Sequence, residues 1–374
     1  MQWRSPERIP KRSFKCDFKS YQDRICGHSS EQATRLQLEL LGIDYLGKYD
    51  PMPFCEACAA AKARNPGRGT GVLGMRLKFP IEDGPAAFIT FDVMSWSIPT
   101  LAGATRALVV VDKYSGYVTL TSLSDEEGNR SHVSHALPGL ILEVRTGARR
   151  DLPSVLYCDN AMENMSREIR DECERRGWII QFSSPNVHGV TNPVPESIIN
   201  VLRTIARAMM IHATAPPPFV GCATAHAAHV RRNLFTKRPE DEKPMTAVQR
   251  LTGDMSRPDT AHLIPFGCLV IYFDTKQTNK TLARGLLGVF VGSAQFYGRP
   301  GILVYSITAR KIETSISYVT DSSTFPFREG LIRRILSHQA SDLPTEEAML
   351  PDGTYLKDFV GRFVMKEFYT TQDP

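Results

Sequence analysis

The chain has 374 residues, 42% of them hydrophobic and 23% charged, which is enough to bury two or three cores and excludes a disordered tail or a peptide-sized scaffold. The formal net charge is +5, and the excess sits in the first 80 residues, where 14 Lys and Arg face 8 Asp and Glu; a polyanionic partner fits this balance without being required by it. Eight cysteines are too few for a disulfide scaffold, there is no apolar run of 18 residues, and MQWRSPERIPKRSFK has charge without the apolar core of a secretory signal, so a soluble intracellular protein with no membrane span is expected.

In chain order, SSEQATRLQLELLGI predicts a helix that Ser29 or Ser30 caps, and NPGRGTGVLG, Asn65 to Gly74, reads as a linker. AAFITFDVMSW, TRALVVVDKY and GYVTLTSL then predict three strands, rich in β-branched and aromatic residues and separated by Gly, Pro and Ser. A helix over about 126–144 is expected to kink or break at Pro138. SVLYCDN predicts a fourth strand, MSREIRDECERRG a helix stopped by Gly177, and WIIQFSS a fifth strand. Three successive strands followed by alternating helix and strand imply an α/β layout with a mixed sheet.

Beyond the proline-studded loop SSPNVHGVTNPVPE, the helix ESIINVLRTIARAMM carries Ile198, Val201, Leu202, Ile205 and Met209 on one face and Glu196, Asn200, Arg203 and Arg207 on the other, with Pro195 as the residue that starts it. PPPF at Pro216 to Phe219 predicts a break, and a further helix is expected up to Phe235. FGCLVIYF, GLLGVFVGS, ILVYSI and KIETSISYVT predict four short strands of a small all-β module. The last 50 residues carry no clear pattern.

Asp159 follows the fourth strand, Asp92 lies in the first, and Glu196 opens a helix, at intervals of 67 and 37 residues. If the first and fourth strands are neighbours, the two aspartates stand side by side and a helix on that edge can bring Glu196 over them. Three carboxylates in one place repel one another unless a divalent cation neutralises them, and hard oxygen ligands suit magnesium or manganese. Taken alone, an Asp-Asn pair after a strand is more often a turn, and a Glu in a first helical turn is favoured by the dipole.

These segments together resemble the integrase of copia-type LTR retrotransposons, an RNase H-like polynucleotidyl transferase with a D,D,E triad. DNAMEN keeps Asp159, Asn160 and Glu163 of that family's second-aspartate motif, and HGVTNPVPESIINVLRTIARAMM supplies Gly189, Val190, Leu202, Ala206, Arg207 and Met209 of its third-carboxylate segment. FITFDVMSW, VVVDKYSGYV with Asp112, Tyr114 and Ser115, IPFGC, RGLLGVFVGS and VYSITARKI extend the resemblance over about residues 21–322. It implies an N-terminal zinc-binding segment at 1–65, an RNase H-like core at 80–235, an SH3-like β-module at 262–322 and a tail at 323–374. It further implies Mg2+ or Mn2+ held by Asp92, Asp159 and Glu196, 3′-end processing and strand transfer on DNA, a homo-oligomer, and work in the nucleus after import from the cytoplasm. Arg203 and Arg207 are the candidates for the DNA backbone, beside the alternative of a solvated helix face. Counting from His188 would put Asn192 in the third catalytic place; the helix register and the interval from Asp159 favour Glu196.

CEAC, Cys55 and Cys58, has the spacing that lets two thiolates reach one tetrahedral zinc, and His28 precedes Cys55 by 27 residues. The family places a His-His-Cys-Cys zinc site here, but the position of its first His is Asp23, so either Asp23 or Cys26 is left to complete the set. Cys158, Cys173, Cys222 and Cys268 read as core or semi-buried thiols, and His212, His226 and His229 more as polar-face residues than as ligands. The rival reading is a retired integrase that binds nucleic acid without catalysis.

Overall fold

The computed structural model describes residues 16–18, 21–22, 27–43, 45–46, 54–62, 84–123, 131–150, 154–158, 167–182, 193–238, 241–256, 263–273, 285–296 and 299–328. Two short strands, β1 (Cys16–Asp17) and β2 (Tyr45–Leu46), pair in parallel around helix α1 (Glu31–Leu41). Ser30 caps α1 by accepting from the Ala33 N–H at 3.2 Å, and Gly42 ends it in the left-handed conformation at φ +64°. A seven-residue helix, α2 (Glu56–Lys62), comes next and was not expected from the sequence.

The predicted mixed sheet is present, in the order β5-β4-β3-β6-β7. Strands β3 (Phe88–Ser95), β4 (Arg106–Asp112) and β5 (Val118–Leu123) pair antiparallel, while β6 (Val155–Cys158) and β7 (Ile179–Phe182) continue from β3 in parallel. RALVVVD is apolar almost throughout because both faces of β4 are covered. Leu108 and Val110 pack with helix α3 (Ser131–Ala148), whereas Ala107, Val109 and Val111 face α5 (Pro193–Ala213) and α6 (Val220–Asn233). A short amphipathic helix, α4 (Arg167–Arg175), buries Ile169 and Cys173 beside α3, and Gly177 at φ +66° ends the turn after it, as expected.

Pro138 neither ends nor breaks α3, which begins at Ser131 and runs on to Ala148. Leu137, Ile141 and Val144 are buried around the proline, and their packing outweighs the roughly 3 kcal/mol that an interior proline costs. Helix α5 starts at Pro193, two residues before the expected Pro195. Both prolines fall in the first turn, where backbone N–H groups have no helical acceptor in any case.

Gln37 on α1 donates to the Phe235 carbonyl at 2.8 Å and accepts from the Phe235 N–H at 2.9 Å, so a side chain supplies both partners of a buried backbone position after α6. The chain then turns through Arg238, whose guanidinium donates to the carbonyls of Tyr114 and Ser115 beyond β4. Helix α7 (Ala247–Thr252) follows, opened by a reciprocal capping box between Thr246 and Gln249. Arg250 and Asp241 form an ion pair there with side chains only 3% and 5% exposed, and Arg250 also donates to the Thr236 carbonyl at 2.6 Å.

The C-terminal module is a separate antiparallel sheet, ordered β11-β10-β9-β8-β12. Its strands are β8 (Leu269–Phe273), β9 (Gly285–Phe296), β10 (Arg299–Ser306), β11 (Lys311–Ser315) and β12 (Tyr318–Asp321). The segment expected as one fourth strand is two, because the chain bends at Ile316 and Ser317 and passes from the β10 edge of the sheet to its β8 edge, with the Ser315 hydroxyl donating to the Ser317 carbonyl at 2.9 Å across the bend. One buried cluster joins Leu38 of α1, Leu202 and Ala206 of α5, Ala227 of α6 and Phe290 of β9. Among the described residues no helix is long and apolar enough to cross a membrane.

Candidate metal centre and catalytic face

His28, Cys55 and Cys58 converge in the buried space between α1 and α2. His28 and Gly27 both take left-handed backbone angles, φ +61° and +57°, just before the α1 cap. A Cβ at Gly27 would meet Met209 Cε of α5 at 2.5 Å, so glycine is what lets this turn seat against the helix. The turn is fixed by the His28 N–H donating to the Gln22 carbonyl at 3.0 Å and by Gln22 Nε2 donating to the Ser29 carbonyl at 2.6 Å. Cys55 immediately precedes α2, and its sulfur accepts the Cys58 N–H at 3.3 Å.

His28 Nδ1 lies 3.5 Å from each sulfur, and the three ligand atoms fall within 4.8 Å of one another. A tetrahedral ion with Zn–S of about 2.3 Å and Zn–N of about 2.0 Å has an S···N edge of roughly 3.5 Å. The spacing therefore fits the ion the donor set prefers, since two thiolates and an imidazole are a zinc-type combination. All three residues are buried, so the cluster can hold a metal such as zinc away from bulk water. The two candidates for a fourth ligand, Asp23 and Cys26, lie outside the described residues. His212 of α5 meets the His28 ring edge-on, with centroids 5.1 Å apart, and Phe325 packs behind it at 4.8 Å.

The expected carboxylates divide between the sheet and α5. Asp92 is half-buried on β3, opposite Val109, and its Oδ1 accepts from the Val93 N–H at 2.7 Å. Along that strand Ile89 and Phe91 pack toward α3, while Met94 packs toward α5 and α6. Asp92 shares the parity of Met94 and so stands on the α5 face. Asp159, Asn160, Glu163, His188 and Asn192 lie outside the described residues. Glu196 is exposed in the first turn of α5.

Arg203 and Arg207 follow Glu196 by two and three turns. Arg203 Nη2 donates to the Ser95 carbonyl at the end of β3 at 3.3 Å, which ties α5 to the strand that carries Asp92. Arg207 Nη1 donates to the Ala61 carbonyl at 3.0 Å, three residues beyond Cys58, where a cation also suits the C-terminal end of α2. Glu196, Asn200, Arg203 and Arg207 line a groove of about 1570 Å³ together with His28 and Cys58, so the polar face of α5 and the metal centre open onto one space. Lys62 and Arg231 line it as well, and neither stood out in the sequence.

Asp112, which the sequence linked to this site by resemblance alone, is fully buried and accepts from the Ala86 N–H at 3.0 Å, the Ser115 N–H at 2.9 Å and the Ser115 hydroxyl. Burial raises its pKa against those hydrogen bonds, and its contacts pin the β4–β5 turn to the segment before β3. His226 differs from expectation: it is 1% exposed, not on a polar face. Its ring meets Phe290 edge-on at 5.1 Å and stacks near Phe266 at 6.1 Å, and burial lowers its pKa to about 4. Cys158, Cys173 and Cys268 are buried and Cys222 half-buried, all as free thiols.

No protein-family model matches the chain, and no curated protein matches it. Among solved structures, a chain of the simian T-cell lymphotropic virus intasome in complex with PP2A regulatory subunit B56 gamma is similar at 15% identity and a TM-score of 0.34, over 64% of this chain and 82% of that one.

Proposed function

We propose that the protein is a DNA-joining polynucleotidyl transferase of the copia-integrase kind, in which Asp92, Asp159 and Glu196 form the catalytic set. One observation carries the reading. The sheet order β5-β4-β3-β6-β7 is that of an RNase H-like core, and it puts β6 parallel to β3 with Thr90 opposite Tyr157. Two residues beyond that pair come Asp92 on one strand and Asp159 in the chain after the other, while Asp92 faces the helix that Glu196 opens. The division into a metal-binding segment at 1–65, a core at 80–235, an SH3-like module at 262–322 and a tail at 323–374 belongs to the same proposal, as does assembly into a homo-oligomer acting in the nucleus.

Magnesium or manganese bound by the three carboxylates would supply the Lewis acid that activates a water or a 3′-hydroxyl and stabilises the leaving oxygen of in-line phosphoryl transfer. The protein's own part is positional. Arg203, braced on Ser95, holds α5 against the end of β3 so that Glu196 and Asp92 keep a fixed relation as DNA enters. The buried His28, Cys55 and Cys58 cluster would take zinc in a structural role, since two thiolates and an imidazole, all buried, suit a closed tetrahedral site.

A second reading, an integrase-derived scaffold that binds nucleic acid without cutting it, draws on the aspartate at position 23 and on the two prolines in the first turn of α5. Manganese titration followed by thermal melting separates the two. An intact carboxylate set raises the melting temperature with the logarithm of free manganese above its dissociation constant, and Glu196→Gln removes the rise. No rise in the parent protein favours the scaffold.

A further inference from the structure

The groove beside the metal centre has a one-sided charge. Its walls carry Lys62 from the end of α2, Arg203 and Arg207 from α5, and Arg231 from α6, and Glu196 at one end is the single acidic residue among its described lining. Two of these cations are already braced: Arg203 and Arg207 each donate one N–H to a backbone carbonyl, Ser95 and Ala61, which fixes the guanidinium and leaves further donors of each fork for another acceptor. Arg231 Nε is buried with no hydrogen-bond partner, and its pKa is lowered by burial and by the charge of Arg238. A half-buried guanidinium with an unpartnered buried N–H is costly unless an anion meets it. Lys62, at the end of α2, is exposed. At about 1570 Å³ the groove exceeds the roughly 300–1000 Å³ of a small-molecule pocket, and its cations come from three different helices.

We infer that this groove is a binding surface for a phosphodiester backbone, with Lys62 of α2 and Arg231 of α6 as phosphate contacts beside Arg203 and Arg207 of α5. The inference rests on the nucleic-acid reading of the function and adds two residues from two further helices to it. Because the Ala61 carbonyl that Arg207 holds lies one helical turn from Cys58, the wall bearing Lys62 is fixed in part by the metal centre. Emptying that centre loosens the groove, and DNA affinity falls with it.

The test is fluorescence anisotropy of the full chain with a short labelled DNA duplex over a salt series. Each phosphate contact adds about 0.9 to the slope of log affinity against log salt. Lys62→Gln and Arg231→Gln are each expected to lower the slope by about that amount, and the double variant by about twice as much, with affinity weakened alike on unrelated sequences. Lys62 is exposed, so its variant keeps the test valid even where Arg231→Gln, at a half-buried position, disturbs folding. A parent protein that does not bind the duplex contradicts the proposed function. A parent that binds, with Lys62→Gln and the double variant binding at the same affinity and slope, overturns the groove while leaving the function standing.

Discussion

His226 is the group whose titration should be most visible in the stability of the whole chain. It is buried at the junction of α6 and β9, lowered from 6.5 to about 4 mainly by desolvation, with the Ile264 backbone hydrogen bond opposing. The unfolded chain binds a proton near 6.5 that the native state refuses until about 4, so unfolding takes up a proton throughout that window. The contribution of neutral His226 is therefore complete above 6.5 and is lost as pH falls toward 4. Linkage across that shift gives a loss of about 2 kcal/mol between neutral pH and about pH 5, approaching roughly 3 kcal/mol below that. Urea unfolding at the two pH values checks it, with His226→Gln as the reference, because the amide keeps a donor for Ile264 and cannot titrate. The parent should lose about 2 kcal/mol more than the variant on acidification. Equal losses in parent and variant would refute the reasoning, since every other titrating group is common to both.

Three further outcomes follow from the packing. Protein purified without chelator should carry one equivalent of zinc by elemental analysis, about one ion per chain for a single tetrahedral site, and Cys58→Ser should carry none and melt at lower temperature. Arg250→Ala should cost about 3–5 kcal/mol in denaturant unfolding, because it strands the buried Asp241 carboxylate, whereas a double change of Arg250 and Asp241 to apolar residues should cost clearly less. Gln37→Ala leaves the Phe235 N–H and carbonyl without their side-chain partners, and a loss of about 2 kcal/mol is expected, read as faster hydrogen exchange at Phe235.

Much of the core was legible because its signals are local and repetitive. The valine run of β4, the β-branched segments of β3 and β5, and the apolar stripe of α5 each declare themselves within ten or so residues. Cys55 and Cys58 with His28 were legible by spacing, although nothing in the sequence tells that Arg207 would brace the helix bearing Cys58. Helix α2 is too short for a periodic signal, and the only mark of α7 in the sequence is TAVQ, the Thr246 and Gln249 capping pair. The split between β11 and β12 has no Gly or Pro to mark it, because the chain only bends there, with a serine hydrogen bond across the bend, as it passes from one edge of the sheet to the other. His226 was misread for a different reason: the rings that bury it, Phe266 and Phe290, come from a later module, and helical spacing alone cannot tell a polar face from a packed one.

The central claim is that Asp92, Asp159 and Glu196 carry phosphoryl transfer on DNA, and joining of labelled duplex ends to a plasmid in manganese buffer tests it most directly. The account predicts strand-transfer products from the parent chain and none above background from Asp159→Asn, whose amide preserves shape but not charge, in protein whose melting and zinc content match the parent. Products from Asp159→Asn within a few fold of the parent would contradict the assignment.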